Sequence, residues 1–303
     1  MMLSVNAPAK INLHLRVLDR RSDGYHEVRT LLQTIDVTDD IRATAAPPNV
    51  LELRVDPVGV VSSAGDNLVL RAADALWRHT GFEGGTKLEL SKRIPIGAGL
   101  GGGSSDAAAS LVLLDELWDL HLEPAALMDI AAGLGSDVPF FLVGGLALAT
   151  GRGEIVRPLM DLADYGVVVC TPPIEVSTAE AYVHFSTRSR LTSQRPDATV
   201  DAFVAGSGDG RIVTPPWRDF ENDLEPAVIE TWPEVGRALA ALRATGPLHA
   251  AVTGSGAASF AVFPDLATAQ VVAAGLEDRW DVRVVSTVGR ERGRPMVKRE
   301  ELV

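Results

Sequence analysis

The sequence predicts an α+β protein of two domains. Three observations carry this. Strand and helix patterns follow one another without the regular alternation of a doubly wound sheet. A glycine-rich run at 95–106, Pro-Ile-Gly-Ala-Gly-Leu-Gly-Gly-Gly-Ser-Ser-Asp, leads straight into an Ala- and Leu-rich helical stretch. Gly151, Gly153 and Pro158 cluster at mid-chain, and a new apolar strand pattern begins soon after. The 303 residues suit one large or two medium domains. The expected division is 1–157, 158–288 and a charged tail at 289–303.

Residues 3–17 alternate as a strand interrupted by Pro8, and 30–38 and 50–55 also read as strands. Residues 67–79 have helical spacing, with Leu68, Leu70, Ala73, Leu76 and Trp77 apolar. Alternation at 86–92 leads into the glycine run, after which Ser104, Ser105 or Asp106 caps a helix reaching about Leu120. Pro124 opens another helix ending near Gly133, and 140–149 holds a strand. Residues 165–171 form a buried strand. Residues 186–216 are polar and read as irregular with one short helix. Residues 233–244 are helical, 250–263 strand–turn–strand, 266–279 helical and 282–287 a strand. The tail has no apolar period and is expected to pack weakly.

A hydrophobic content of 46 % with 22 % charged residues is that of a soluble globular protein. The net charge of −12 argues against nucleic-acid or membrane-surface partners. A phosphate ligand must therefore be held by local groups. The single Cys170 excludes an internal disulfide framework and a cysteine-rich metal site. No leader pattern and no membrane-length apolar run is visible, which gives a cytoplasmic location by default.

Five of the seven residues at 97–103 are glycine. Bare backbone followed by a helix N-terminus is a site for phosphate. Ser104 stands where a Walker loop has lysine, so this is not a P-loop. Gly97, Gly99 and Gly102 fit dinucleotide spacing, a weak match by itself. A flexible surface loop is the competing reading, and Leu100 among the glycines argues against it. Lys10 breaks an otherwise apolar strand; it either pairs with an anion or faces solvent from an edge. Asp137, in Gly-Ser-Asp-Val-Pro-Phe, reads as a turn residue or a helix cap. The stretch Thr-Gly-Ser-Gly at 253–256 and the Asp-Gly-Tyr-His at 23–26 each fit a simple turn.

Together these pieces resemble the GHMP kinase superfamily. Pro8-Ala9-Lys10-Ile11-Asn12, the loop at 99–105 and Gly254-Ser255-Gly256 match its three motifs in order. Within it, Asp23-Gly24-Tyr25-His26, the triple glycine before Ser-Ser-Asp and Gly135-Ser136-Asp137-Val138-Pro139-Phe140 resemble the members that phosphorylate a cytidine diphosphate-linked methylerythritol in non-mevalonate isoprenoid synthesis. The resemblance runs from about residue 5 to about residue 288. It implies an N-terminal domain like ribosomal protein S5 domain 2, a ferredoxin-like C-terminal domain, and transfer from ATP, with Mg2+, to a small-molecule alcohol. Asp137 is implied as catalytic base and Lys10 as the partner that keeps it ionised. ATP is implied to lie against Asn67, Lys92, Pro95, Ile96, Gly97, Ala98, Gly99, Leu100, Gly101, Gly102, Gly103, Ser104 and Ser105. Asn12, Tyr25, His26 and Tyr182 are implied to bind the cytidyl substrate. Lys92 reads equally as a solvated lysine, and the serines equally as helix caps. A side chain at Gly101, Gly102 or Gly103 is expected to displace the loop. Another GHMP kinase, of homoserine or mevalonate type, and a non-catalytic nucleotide sensor are the alternatives. The sequence leaves oligomeric state and magnesium ligands unassigned.

Overall fold

The structure is a computed structural model; it describes residues 2–162, 164–188, 197–209, 213–276, 278 and 280–300. The parts of the 186–216 stretch and of the tail at 189–196, 210–212 and 301–303 lie outside the described residues. β1 (Met2–Arg20) and β2 (His26–Ala46) form a long antiparallel pair. β3 (Leu51–Asp56), α1 (Leu68–Thr80) and β4 (Gly85–Ser91) follow. Next come α2 (Gly102–Leu117), α3 (Pro124–Leu134), α4 (Val138–Val143), β5 (Leu146–Thr150) and β6 (Ile155–Pro158). β2 pairs with β5 through residues 30–33 and with β4 through 40–46, so the sheet divides along this strand.

Pro8 sits inside β1 where its register against β2 shifts, a bulge position at which a missing N–H is tolerated. Burial alternates in the first part of β1 and becomes continuous from Ala7 to Leu15. That stretch is covered on both faces, which is why a lysine there needs partners. α2 is buried on most sides, and Ala107, Ala108 and Ala109 let it approach α1 and β1 closely.

The second unit contains β7 (Gly166–Thr171), α5 (Thr178–Arg188), α6 (Ala198–Gly208), α7 (Glu225–Thr231), α8 (Pro233–Ala244), β8 (His249–Val252), β9 (Ser259–Phe263), α9 (Leu266–Ala273) and β10 (Asp281–Ser286). Its four-stranded sheet has the order β10-β7-β9-β8. Val168, Leu224, Val228, Leu239 and Phe263 pack within it. A further core joins the two units: Ile11, Leu13, Leu31, Ala98 and Leu100 meet Val167, Phe203 and Phe260.

Three expectations differ. α2 begins at Gly102 with Gly101 as N-cap and no side-chain cap bond, so Ser104, Ser105 and Asp106 lie inside the helix and do not cap it. The stretch 140–149 does hold a strand, at its end, while Phe140 and Phe141 belong to short α4. The helix expected over 266–279 ends at Ala273. The tail does not pack weakly. After α10 (Arg290–Gly293), β11 (Lys298–Glu300) pairs antiparallel with β1, Ser4 opposite Lys298. An edge strand with exposed charges has no apolar period to read, and those charges discourage further pairing. Among the described residues no helix is long and apolar enough to cross a membrane.

Candidate active site

The glycine run forms its shape by alternation. Gly97, Gly99 and Gly101 take φ of 65°, 76° and 74°, left-handed conformations that cost a side-chain-bearing residue strain. Between them Ala98 and Leu100 point into the core at 2 % and 1 % exposure. The loop is thus anchored at alternate residues while its glycines approach other backbone. A Cβ on Gly99 would lie 2.3 Å from the Thr253 carbonyl oxygen. One on Gly101 would lie 2.8 Å from Phe141 Cζ and 3.1 Å from Lys10 Cγ, and one on Gly102 would lie 3.1 Å from Ile94 Cγ2. Gly103 differs from expectation: a Cβ there would meet only Leu68 Cδ1, at an ordinary 3.6 Å.

The three motifs meet here. Lys10 N–H donates to the Leu100 carbonyl (3.0 Å), and Ala258 N–H donates to the Ala98 carbonyl (3.1 Å). The Lys10 ammonium donates to Asn12 Oδ1 (2.7 Å) and to the Gly99 carbonyl (2.8 Å). Its third neighbour is Asp137 Oδ2 at 3.5 Å. Asp137 occupies the N-cap position of α4 yet makes no side-chain cap bond. Its side chain is 35 % exposed against 4 % for Lys10, so the carboxylate faces the cleft. Thr253, which sequence reasoning did not single out, donates to Asn12 Oδ1 at 3.2 Å and accepts from Asn12 N–H at 3.1 Å. Asn222 Nδ2 holds the Val252 and Gly254 carbonyls, both at 2.8 Å.

A cleft of about 1230 Å³ runs from this loop to the β1–β2 turn, lined by all the expected site residues except Ser105. Ser105 is fully buried, and its hydroxyl has no partner among the described residues. Asn67 lines the cleft but its amide is committed: Oδ1 accepts from Val69 N–H (2.9 Å) as the α1 cap, and Nδ2 donates to the Ser62 carbonyl (2.6 Å). Lys92 is neither solvated nor free for phosphate. Its ammonium is buried beneath Gly102, bonded to Asp39 Oδ2 and, at 2.7 Å, to Asp106 Oδ2. Asp39 Oδ1 in turn accepts from the backbone of Arg93 and Ile94. Burial pushes the Asp106 carboxyl up to about 7, only partly opposed by Lys92.

At the far end Tyr25 is 55 % exposed. One face of Tyr182 is covered, because the His26 ring stacks on it at 5.3 Å and 22°. Burial lowers the His26 pKa, and so does the nearby Arg20 charge. Burial raises that of Tyr182, helped by the negative charge of Asp137. The Arg152 guanidinium lies 5.2 Å above the Tyr25 ring.

Residues 67–145 match the GHMP kinases N terminal domain, and 202–282 match GHMP kinases C terminal. A protein of Pelotomaculum thermopropionicum named 4-diphosphocytidyl-2-C-methyl-D-erythritol kinase is 40 % identical over 274 residues, covering 90 % of this chain and 93 % of its own. One of the same name from Cupriavidus necator is 41 % identical over 285 residues, covering 94 % and 92 %. The crystal structure of a 4-(cytidine 5'-diphospho)-2C-methyl-D-erythritol kinase superposes with TM-score 0.77 at 34 % identity, covering 94 % of this chain and all of the other. A homoserine kinase from Cytophaga hutchinsonii shares the fold, with TM-score 0.77 at 21 % identity over 98 % of this chain and 97 % of its own. Family domains and full-length relatives agree with the motif geometry, and the chain belongs to the 4-diphosphocytidyl-2-C-methyl-D-erythritol kinases, a family of GHMP kinases.

Proposed function

We propose that this chain transfers the γ-phosphoryl group of ATP to the 2-hydroxyl of 4-diphosphocytidyl-2-C-methyl-D-erythritol, in the cytoplasm. The single observation that carries the reading is the Lys10–Asp137 pair, 3.5 Å apart, beside the glycine loop and within the cleft that reaches Tyr25 and His26. Phosphoryl transfer needs positioning and charge stabilisation more than covalent chemistry. Loop N–H groups and the start of α2 hold the phosphates. Asp137 takes the hydroxyl proton as that oxygen attacks phosphorus. Lys10, fixed by Asn12 and the Gly99 carbonyl, stabilises the charge that develops. Tyr25, His26 and Tyr182 hold the cytosine end.

Among the described residues no group of three or more His, Cys, Asp or Glu side chains is placed to hold a metal. Ser104 lines the cleft beside the glycine loop, and its hydroxyl would contact a magnesium ion bound together with ATP. When bound, that ion neutralises phosphate charge.

The test is coupled ADP release with the cytidyl substrate and with homoserine as the competing acceptor. Turnover of the first alone supports the reading, and turnover of homoserine alone overturns it. Asp137→Asn should retain ATP binding and lose at least about 100-fold in kcat. Comparable turnover in the variant would remove Asp137 from the role of base.

A further inference from the structure

The proposed substrate carries a diphosphate between its cytosine and the hydroxyl to be phosphorylated. Two negative charges must therefore sit between Tyr25 and Asp137 in a chain of net charge −12. The two lysines that line the cleft are already engaged. Lys10 is held by Asp137, Asn12 and Gly99, and Lys92 lies between Asp39 and Asp106. Among the described residues, the remaining arginines on the cleft wall are Arg20 and Arg152.

Arg152 reaches both ends. It lies in a tight turn closed by Gly153 N–H to the Thr150 carbonyl (3.1 Å), with Gly151 and Gly153 at φ of 74° and 117°. The turn is tied to the strand that follows Tyr25: Val28 N–H donates to the Gly151 carbonyl (2.8 Å), and Gly151 N–H donates to Glu27 Oε1 (3.0 Å). On its other side the turn abuts the base. A Cβ on Gly153 would stand 3.7 Å from Asp137 Oδ1. From there the Arg152 side chain extends until its guanidinium covers the Tyr25 ring at 5.2 Å. Glu154 accompanies it, Nε to Oε1 at 3.6 Å, leaving the rest of the planar donor fork available. Arg20 ends β1, is exposed, and acts on His26.

We propose that Arg152 binds the diphosphate of the cytidyl substrate while backing Tyr25 as the stacking platform, an inference that rests on the functional reading above. A guanidinium matches paired phosphate oxygens in geometry and charge, and its flat face suits the ring.

The two roles separate experimentally. Binding of CDP and of cytidine is measured by calorimetry for the wild type, Arg152→Gln and Arg152→Lys. Loss of a platform alone weakens both ligands by one factor. Loss of a diphosphate contact weakens CDP by about tenfold more than cytidine, and Arg152→Lys restores part of the difference. Retained ATP affinity shows that Arg152→Gln is folded. Equal factors for CDP and cytidine, or no change in either, overturn the proposal. If the wild type turns over the cytidyl substrate while the factors are equal, only this inference fails. If it neither prefers CDP to cytidine nor turns over the cytidyl substrate, both readings fall.

Discussion

Replacing Asp106 by Asn removes one of two carboxylates that share Lys92 under the glycine loop, while leaving an oxygen to accept the 2.7 Å bond from its ammonium. Two buried carboxylates on one buried ammonium leave a net negative charge, and Asp106 Oδ1 has no hydrogen-bond partner among the described residues. Ionising Asp106 in the folded chain is therefore costly, and burial with the Asp39 charge raises its carboxyl from 3.8 to about 7. In the unfolded chain the same group ionises near 3.8. Between those values the folded state holds a proton that the unfolded state does not, so this group's contribution is full below pH 3.8 and is lost as pH rises through 7. The whole offset corresponds to roughly 4 kcal/mol, of which about 3 kcal/mol falls between pH 5 and pH 8. Urea unfolding of the wild type and Asp106→Asn at pH 5, 6, 7 and 8 measures it. The wild type should lose about that much relative to the variant across the range, so the variant gains on it as pH rises. Parallel pH dependence in the two proteins would refute the reasoning, because it would mean that Asp106 is charged throughout.

Gly99→Ala should be disruptive, with its Cβ 2.3 Å from a backbone oxygen at φ 76°; a loss of about 1–3 kcal/mol in unfolding free energy and a raised KM for ATP are expected. Gly103→Ala, at 3.6 Å from a leucine methyl, should change either quantity little, and matching effects in the two variants would contradict the loop geometry. Tyr25→Ala should raise the KM of the cytidyl substrate more than that of ATP in steady-state kinetics, and equal increases would argue against cytosine stacking. Burial, and then the Arg20 charge, lower the His26 pKa below its ordinary 6.5, so a rise in the cytidyl KM caused by ring protonation should come on the acid side of that value. A rise centred above pH 7 would exclude that assignment.

The loop, Lys10 and Asp137 were legible because each is locally anomalous: glycines in excess, a lysine in an apolar strand, an aspartate between glycine and proline. What escaped the sequence is long-range pairing. Asp39 lies 53 residues from Lys92, and Thr253 lies 241 from Asn12. Nothing near Lys92 announces two carboxylates, so a phosphate role and a solvated role stood level. Thr253 borders a motif and Asp106 ends one, which is the only local hint that either offers. β11 escaped for another reason: an exposed edge strand needs no apolar alternation, and its backbone bonds to β1 leave no trace in side-chain pattern.

The two ends of the cleft are built differently, and this bears on how one fold accepts different alcohols. The proposed phosphate end consists of backbone, with Leu100 and Ala98 buried in a core that spans both units, and with Thr253, Phe141 and Lys10 standing where a Cβ on Gly99 or Gly101 would go. Substitutions there meet close-packed atoms and disturb stability and nucleotide binding together. The proposed acceptor end consists of side chains brought by three separate segments: the β1–β2 turn, the turn at Arg152, and α5. Tyr25 is more than half exposed and Arg152 partly so, so exchanging them removes little buried area. Acceptor choice can then change at small cost in stability, while the loop proposed to hold ATP stays as it is. A shared backbone consequently says little about the acceptor. The residues that discriminate are those whose loss the folded state would tolerate, which is why kinetics with paired ligands tests them more sharply than melting does.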